Sequence, residues 1–355
     1  MTALLLALAC LAAPPPAAPA ANPTPSPALQ TLLDRLGDAL TRADGDAAAG
    51  AYDYADMLDE GVASGLMQPI PRGDRRRVLR GLAQGQARRA VELAPILNWQ
   101  HTEILRAEAL AGGRQVLTVR HRSERLNTVF RRRYWVRPGL LGWKIYDVED
   151  VDVGVRTSEA LAVGITAGRA AETPPWIPKV QALWGLIGTI QAGQVAEARA
   201  TLLALSPEGL PVAFARTYWL LRVAAQADLD AAAALEDAAE AHAALGGAAP
   251  SALWLVAADA RLTTGDAQGA LGDVERFLQA FPGDPEALAV RGFARRALGQ
   301  ADGARADFDQ ALRAAPRLLD AWAGRLCLAP TVPLPPDLSA EQREGVALIR
   351  RQRCP

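Results

Sequence analysis

The chain is poor in the side chains that do most chemistry. Of its 355 residues only three are histidine and three cysteine, and Lys144 and Lys179 are its only lysines. Three histidines (His101, His121 and His242) leave little for metal binding or proton transfer. A net charge of −1 excludes wholesale steering toward nucleic acid or an anionic membrane. The apolar run near the N-terminus, Leu4–Leu11, is far below the ~20 residues that span a bilayer. There is no His-Glu-x-x-His, no cysteine pair at zinc spacing, no Gly-Lys-Ser/Thr phosphate loop and no Gly-x-Ser-x-Gly elbow. Glu149, Asp150 and Asp152 are too few, and too irregularly spaced, for a calcium loop. No metal, no cofactor and no enzymatic activity are expected.

What is present begins with a leader. Leu4–Leu11 followed by small residues and proline fits the apolar core of a secretory signal, and Ala18-Pro19-Ala20 has the small-x-small form of a cleavage site. Ala7-Leu8-Ala9-Cys10 also resembles a bacterial lipoprotein box, which would place a lipid on Cys10. Either reading exports the chain to the periplasm or beyond, with residues 1–20 as signal and 21–26 as a Pro/Ala tether. Export would leave Cys327 and Cys354 as an even pair available for a disulfide.

Residues 27–173 read as an α+β unit. Ser26-Pro27 is a helix start, and Leu29, Leu32, Leu33, Leu36 and Leu40 form a stripe at helical spacing. Two further helices follow, and then the period changes. Thr102–Leu110, Arg114–Ser123, Asn127–Arg137 and Leu140–Val148 are rich in β-branched and aromatic residues and predict an antiparallel meander. Trp143-Lys144-Ile145-Tyr146-Asp147-Val148 resembles the closing strand of NTF2-like cones and of the periplasmic phospholipid-carrier family. That resemblance implies a cavity between sheet and helices for a lipid or small apolar ligand. Strand alternation would turn His121, Arg132, Tyr134, Trp143 and Asp147 toward it. A His121/Asp147 acid–base pair inside the cone, as in isomerases of that family, is the enzymatic alternative.

Thr173–Pro178 is a proline-stiffened join, with the linker at 174–178. Beyond it a 34-residue period emerges. It aligns Gly265 with Gly299, Ala270 with Ala304, Val274 with Phe308, Leu278 with Leu312 and Pro282 with Pro316. Looser copies extend the array over 179–326, leaving 327–355 as a capping segment. Small residues let two helices approach, glycines end the first helix of each unit, and prolines stop the second. The pattern resembles the tetratricopeptide repeat family. The resemblance implies an all-α superhelix whose inner groove takes a peptide or partner helix, with Asp259, Thr263, Phe293 and Arg296 lining it. The expected function is an exported interaction scaffold with a protein partner; the expected fold is an α+β cone followed by an all-α repeat array.

Overall fold

A computed structural model describes residues 26–94, 99–123, 128–169, 173–227 and 229–354. The leader, including Cys10 and the cleavage site, lies outside the described residues.

Helix α1 (Pro27–Thr41) starts where the sequence signals it, with the Ser26 hydroxyl accepting from the Ala28 amide at 3.3 Å. All five leucines of its stripe are buried. Short helices α2 (Gly45–Gly50) and α3 (Tyr54–Ala63) lead into the 22-residue α4 (Arg72–Leu93). The sheet follows as a meander in chain order: β1 (His101–Ala109), β2 (Gln115–Ser123), β3 (Thr128–Gly139), β4 (Gly142–Asp150) and the two-residue β5 (Val155–Arg156), each antiparallel to its predecessor. Its inner face (Ile104, Leu117, Val119, Tyr134, Val136, Ile145 and Val148) closes directly on the leucines of α1. An empty apolar interior of the expected kind is therefore not what the α1 leucines leave; they fill it.

One irregularity in β4 decides where the polar residues go. Trp135 pairs with Asp147, but the next residue, Val136, pairs with Ile145. Tyr146 is thus the extra residue of a bulge. Directly opposed residues point to the same side of a sheet. Ile145 and Val148 therefore both face α1, while Asp147 turns to the outer face with Trp135 and Glu149.

After α5 (Thr157–Arg169) the chain becomes a run of helical hairpins. The pairs are α6 (Ile177–Gln191) with α7 (Val195–Ala204), α8 (Val212–Ala227) with α9 (Ala231–Leu245), α10 (Ala252–Thr263) with α11 (Ala267–Ala280), and α12 (Pro285–Ala297) with α13 (Ala301–Ala314). Then come α14 (Leu319–Leu328) and α15 (Ala340–Arg353), which pack on each other. Helices α10, α12 and α14 lie as successive neighbours, as the 34-residue register requires. Gly265 and Gly299 sit at φ +85° and +77°, the left-handed turn that ends a first helix and that other residues adopt at a cost. Phe308 is fully buried between Gly292 and Gly324; a Cβ on either glycine would come within 2.6 Å and 2.2 Å of its ring.

Sheet and array are one packed body. The outer face of the sheet carries Arg106, Arg120, Arg122, Arg131 and Arg133, and three successive turns between hairpins dock onto it. Arg106 donates to the Gln279 carbonyl at 3.0 Å, Arg120 to that of Pro282 at 3.3 Å, and Arg122 to that of Ala314. Two of these acceptors close the last turns of α11 and α13, where helix carbonyls lack partners and the dipole favours a cation. Arg133 donates to the Ser251 hydroxyl at 3.1 Å. On the other flank Leu58, Met67, Ala162 and Val163 share a core with Val180, Leu183 and Phe214.

Candidate functional site

The groove expected from the repeats is occupied by the chain itself. Arg353, the last residue of α15, reaches the Asp259 carboxylate and the Thr263 hydroxyl of α10. Arg296 of α12 donates to the Arg353 carbonyl at 2.6 Å. The next residue, Cys354, forms a disulfide with Cys327 of α14, Cα to Cα 6.0 Å. Asp320 stands in the same cluster; burial raises its pKa, the Asp259 charge adds to that, and Arg353 opposes it. Asp259, Thr263 and Arg296 are brought together, then, around Arg353 at the end of α15.

Phe293 is a correction. It does not line a groove: it is 4% exposed and meets Phe308 edge to face, ring centroids 5.1 Å apart. The gap left by Gly292 admits the Phe308 ring, and Phe293 closes over it.

The pocket expected inside the cone is a second correction. His121 is fully buried. Its Nε2 lies 2.8 Å from the Tyr134 hydroxyl, its Nδ1 lies 2.9 Å from the Thr102 hydroxyl, and its ring stacks on Trp99 at 4.1 Å. Burial, reinforced by the nearby Arg132 charge, holds its pKa well below the ordinary histidine range. It is a neutral core histidine with both ring nitrogens satisfied. Arg132 does turn inward, but it pairs with Asp150 at 3.2 Å. Trp143 is half-buried at the rim, beside α1. Asp147 lies across the sheet from His121 because of the Tyr146 bulge. It accepts from the Ser158 amide at 3.0 Å and the Ser158 hydroxyl at 2.6 Å, and pairs with Arg156 at 2.6 Å. Burial raises its pKa, and Arg156 and these hydrogen bonds work against the rise. Its position tethers the first turn of α5. No acid–base pair forms between His121 and Asp147.

The described residues do hold an open groove elsewhere. It measures about 1100 Å3 and runs between α4, α5 and α6, where the α+β unit meets the first hairpin. Met57, Leu82, Leu161, Ile165, Trp184 and Ile187 form apolar walls. Gly81, Gly85 and Gly164 leave stretches of wall without side chains. Arg88, Arg89, Gln86 and Glu92 supply the polar edge. Both arginines are exposed, and neither has an ion-pair partner among the described residues. Among the described residues no group of three or more His, Cys, Asp or Glu could hold a metal, and no helix is long and apolar enough to cross a membrane.

Sequence reasoning missed two sets of residues. One is the seam around Arg131, which is 4% exposed. It makes a two-pronged pair with Asp284 (2.7 and 2.8 Å), and reaches Glu286 at 2.6 Å and Asp152 at 3.0 Å. Asp284-Pro285-Glu286 has the form of a helix cap, and Asp284 accepts from the Ala287 amide at 3.1 Å. Nothing in the sequence says that a sheet arginine shares it. Burial works against the Arg131 charge, but Asp284, Glu286 and Asp152 outweigh it and hold the group protonated. The other set could have been found. Arg261 pairs with Asp273 at 2.7 Å and Arg295 with Asp307 at 2.8 Å, each linking the two helices of one hairpin. Both residues of each pair repeat at the same 34-residue shift.

No protein family matches the sequence, and no curated protein matches it. Among solved structures, one titled as the crystal structure of MamA is similar at 12% identity with a TM-score of 0.32, covering 47% of this chain and 90% of that one. At that degree of overlap the likeness carries no functional weight.

Proposed function

We propose that this chain is an exported, non-enzymatic scaffold of the tetratricopeptide type that holds a segment of a partner protein in the groove between α4, α5 and α6. The repeat assignment rests on the 34-residue register, the left-handed Gly265 and Gly299, and the buried Ala270 and Ala304. The observation that carries the partner assignment is the groove itself: about 1100 Å3, with both apolar and polar lining, edged by two guanidinium groups that have no ion-pair partner among the described residues. Apolar walls with a few polar anchors are what a peptide with alternating apolar and acidic residues requires. On the inner face of the last hairpins Asp259, Thr263 and Arg296 are already engaged by Arg353 of the same chain. Export is supported by the leader and by the Cys327–Cys354 bridge, since disulfides persist in oxidising compartments. Whether the leader is cleaved after Ala20 or kept as a lipidated Cys10 is read from the mass of the mature N-terminus.

The test places a photo-crosslinking residue at Trp184 in the full chain expressed in its own host. A protein adduct is expected at Trp184, and the same probe should lose it when Gly85→Leu fills the groove or Arg88→Glu/Arg89→Glu reverses its edge. Adducts that persist in both variants, or that form only from probes outside the groove, refute the assignment. The second reading, carriage of a lipid or small apolar ligand, belongs to this groove rather than to the cone interior, and the same apolar walls favour it. Solvent extraction of the purified chain distinguishes it: a stoichiometric apolar molecule, with no protein adduct, replaces the scaffold reading.

A further inference from the structure

The hairpin that joins β3 to β4 is built from the wrong residues for a water-facing turn. Tight hairpin turns favour Asn, Asp and Gly at the apex. Here the apex is Gly139-Leu140-Leu141-Gly142, and the two leucines are 106% and 96% exposed, the most exposed large apolar side chains among the described residues. They project from the end of a strand pair rather than lie in a groove. Leu110, at 41% exposure, sits in the neighbouring turn between β1 and β2, at the same end of the sheet, where Gly113 approaches Pro138. Trp143 flanks the apex, half-buried; Lys144 next to it donates its ammonium to the Gly50 carbonyl of α2. Across a shallow hollow from Leu141 and Trp143 lie Ala28, Thr31 and Arg35 of α1, and Arg35 is exposed, with no ion-pair partner among the described residues.

From this arrangement we propose that the β3–β4 apex is a membrane-contact point: Leu140 and Leu141 enter the acyl boundary of a phospholipid bilayer, Trp143 sits at headgroup level, and Arg35 meets lipid phosphate. Two observations select a bilayer over a protein partner. A convex apex of two leucines fits a fluid surface, which closes around it, and has no need of a matching socket. An indole beside a basic side chain, here Arg35, is the arrangement favoured at the water–lipid boundary. The inference is independent of what occupies the α4–α5–α6 groove.

The test is flotation of the full chain with vesicles of phosphatidylcholine containing about one-third phosphatidylglycerol. Burying each leucine is worth roughly tenfold in partition, so Leu140→Ser/Leu141→Ser should lower the partition coefficient about a hundredfold. Arg35→Glu should lower it on the anionic vesicles and leave it unchanged on pure phosphatidylcholine. Both changes lie at exposed positions, and an unchanged circular dichroism spectrum confirms the fold. Because the leader itself can hold the chain on a vesicle, a second readout is needed. A nitrobenzoxadiazole dye on Leu141→Cys, in a Cys10→Ser chain, should shift blue on binding and be quenched by brominated lipid. A dye that stays in water while the chain floats overturns the proposal. So does a wild-type chain that dimerises through the apex in sedimentation and ignores the vesicles.

Discussion

Arg131→Met should cost far more than its exposed neighbours suggest. The guanidinium is 4% exposed and Asp284 is completely buried, so removing the cation leaves an uncompensated carboxylate inside the seam. Breaking a buried pair in this way typically costs about 3–5 kcal/mol. Glu286 and Asp152 add little, because each is more than a third exposed and water screens the loss. Against a typical total stability of roughly 5–15 kcal/mol this is a large fraction. Asp284→Asn supplies the second arm of the cycle. Asparagine still caps α12 as well as aspartate does, so that change removes the charge and keeps the cap. In the double variant no buried charge remains, and its loss should fall short of the sum of the singles by about 2 kcal/mol. Urea denaturation at pH 7.5 gives the energies. Hydrogen exchange in β3 and α12 shows whether the loss is local to the seam. An Arg131→Met cost below about 1 kcal/mol, or strict additivity with Asp284→Asn, would refute the view that the seam is held by a desolvated ion pair.

Three further outcomes follow from the geometry. Below pH 6.5 an unfolded His121 takes up a proton that the buried native ring refuses, so stability should fall by up to about 1.4 kcal/mol per pH unit until the lowered native pKa is reached; His121→Phe should flatten that slope in denaturation curves at pH 6.5 and 5.5. Gly324→Ala puts a methyl 2.2 Å from the Phe308 ring and should cost about 1–3 kcal/mol by urea denaturation, with a negligible effect counting against the packing. Reducing the Cys327–Cys354 bridge, which closes a loop of sequence separation 27, should cost about 3–4 kcal/mol on a chain-entropy estimate; equal midpoints with and without reductant would contradict it.

The repeat array was legible because its signal is periodic. Gly265/Gly299, Ala270/Ala304 and Val274/Phe308 each carry the same packing duty 34 residues apart. The four main strands were legible from β-branched composition, to within two residues at their ends. The candidate pocket was not, for a specific reason. Alternation assigns faces only while pairing is regular, and the extra residue at Tyr146 reverses the assignment for Asp147. Parity did separate Arg132 from Arg131 and Arg133, but it could not say that the second face is covered. Burial of Arg131 depends on contacts more than 150 residues away, at Asp284 and Glu286. The same limit applies to Asp259, Thr263 and Arg296. Their register was readable, while the return of Arg353 to meet them is a property of the whole chain's path.

The row of arginines along the sheet has a mechanical consequence. A solenoid whose units touch only their neighbours can stretch, twist and unwind like a spring. This one is riveted along one margin at Ser251, Gln279, Pro282, Asp284 and Ala314 to strands that cannot lengthen. Its pitch is fixed by the spacing of the strands, so these hairpins should move as one stiff block and cannot coil tighter or looser.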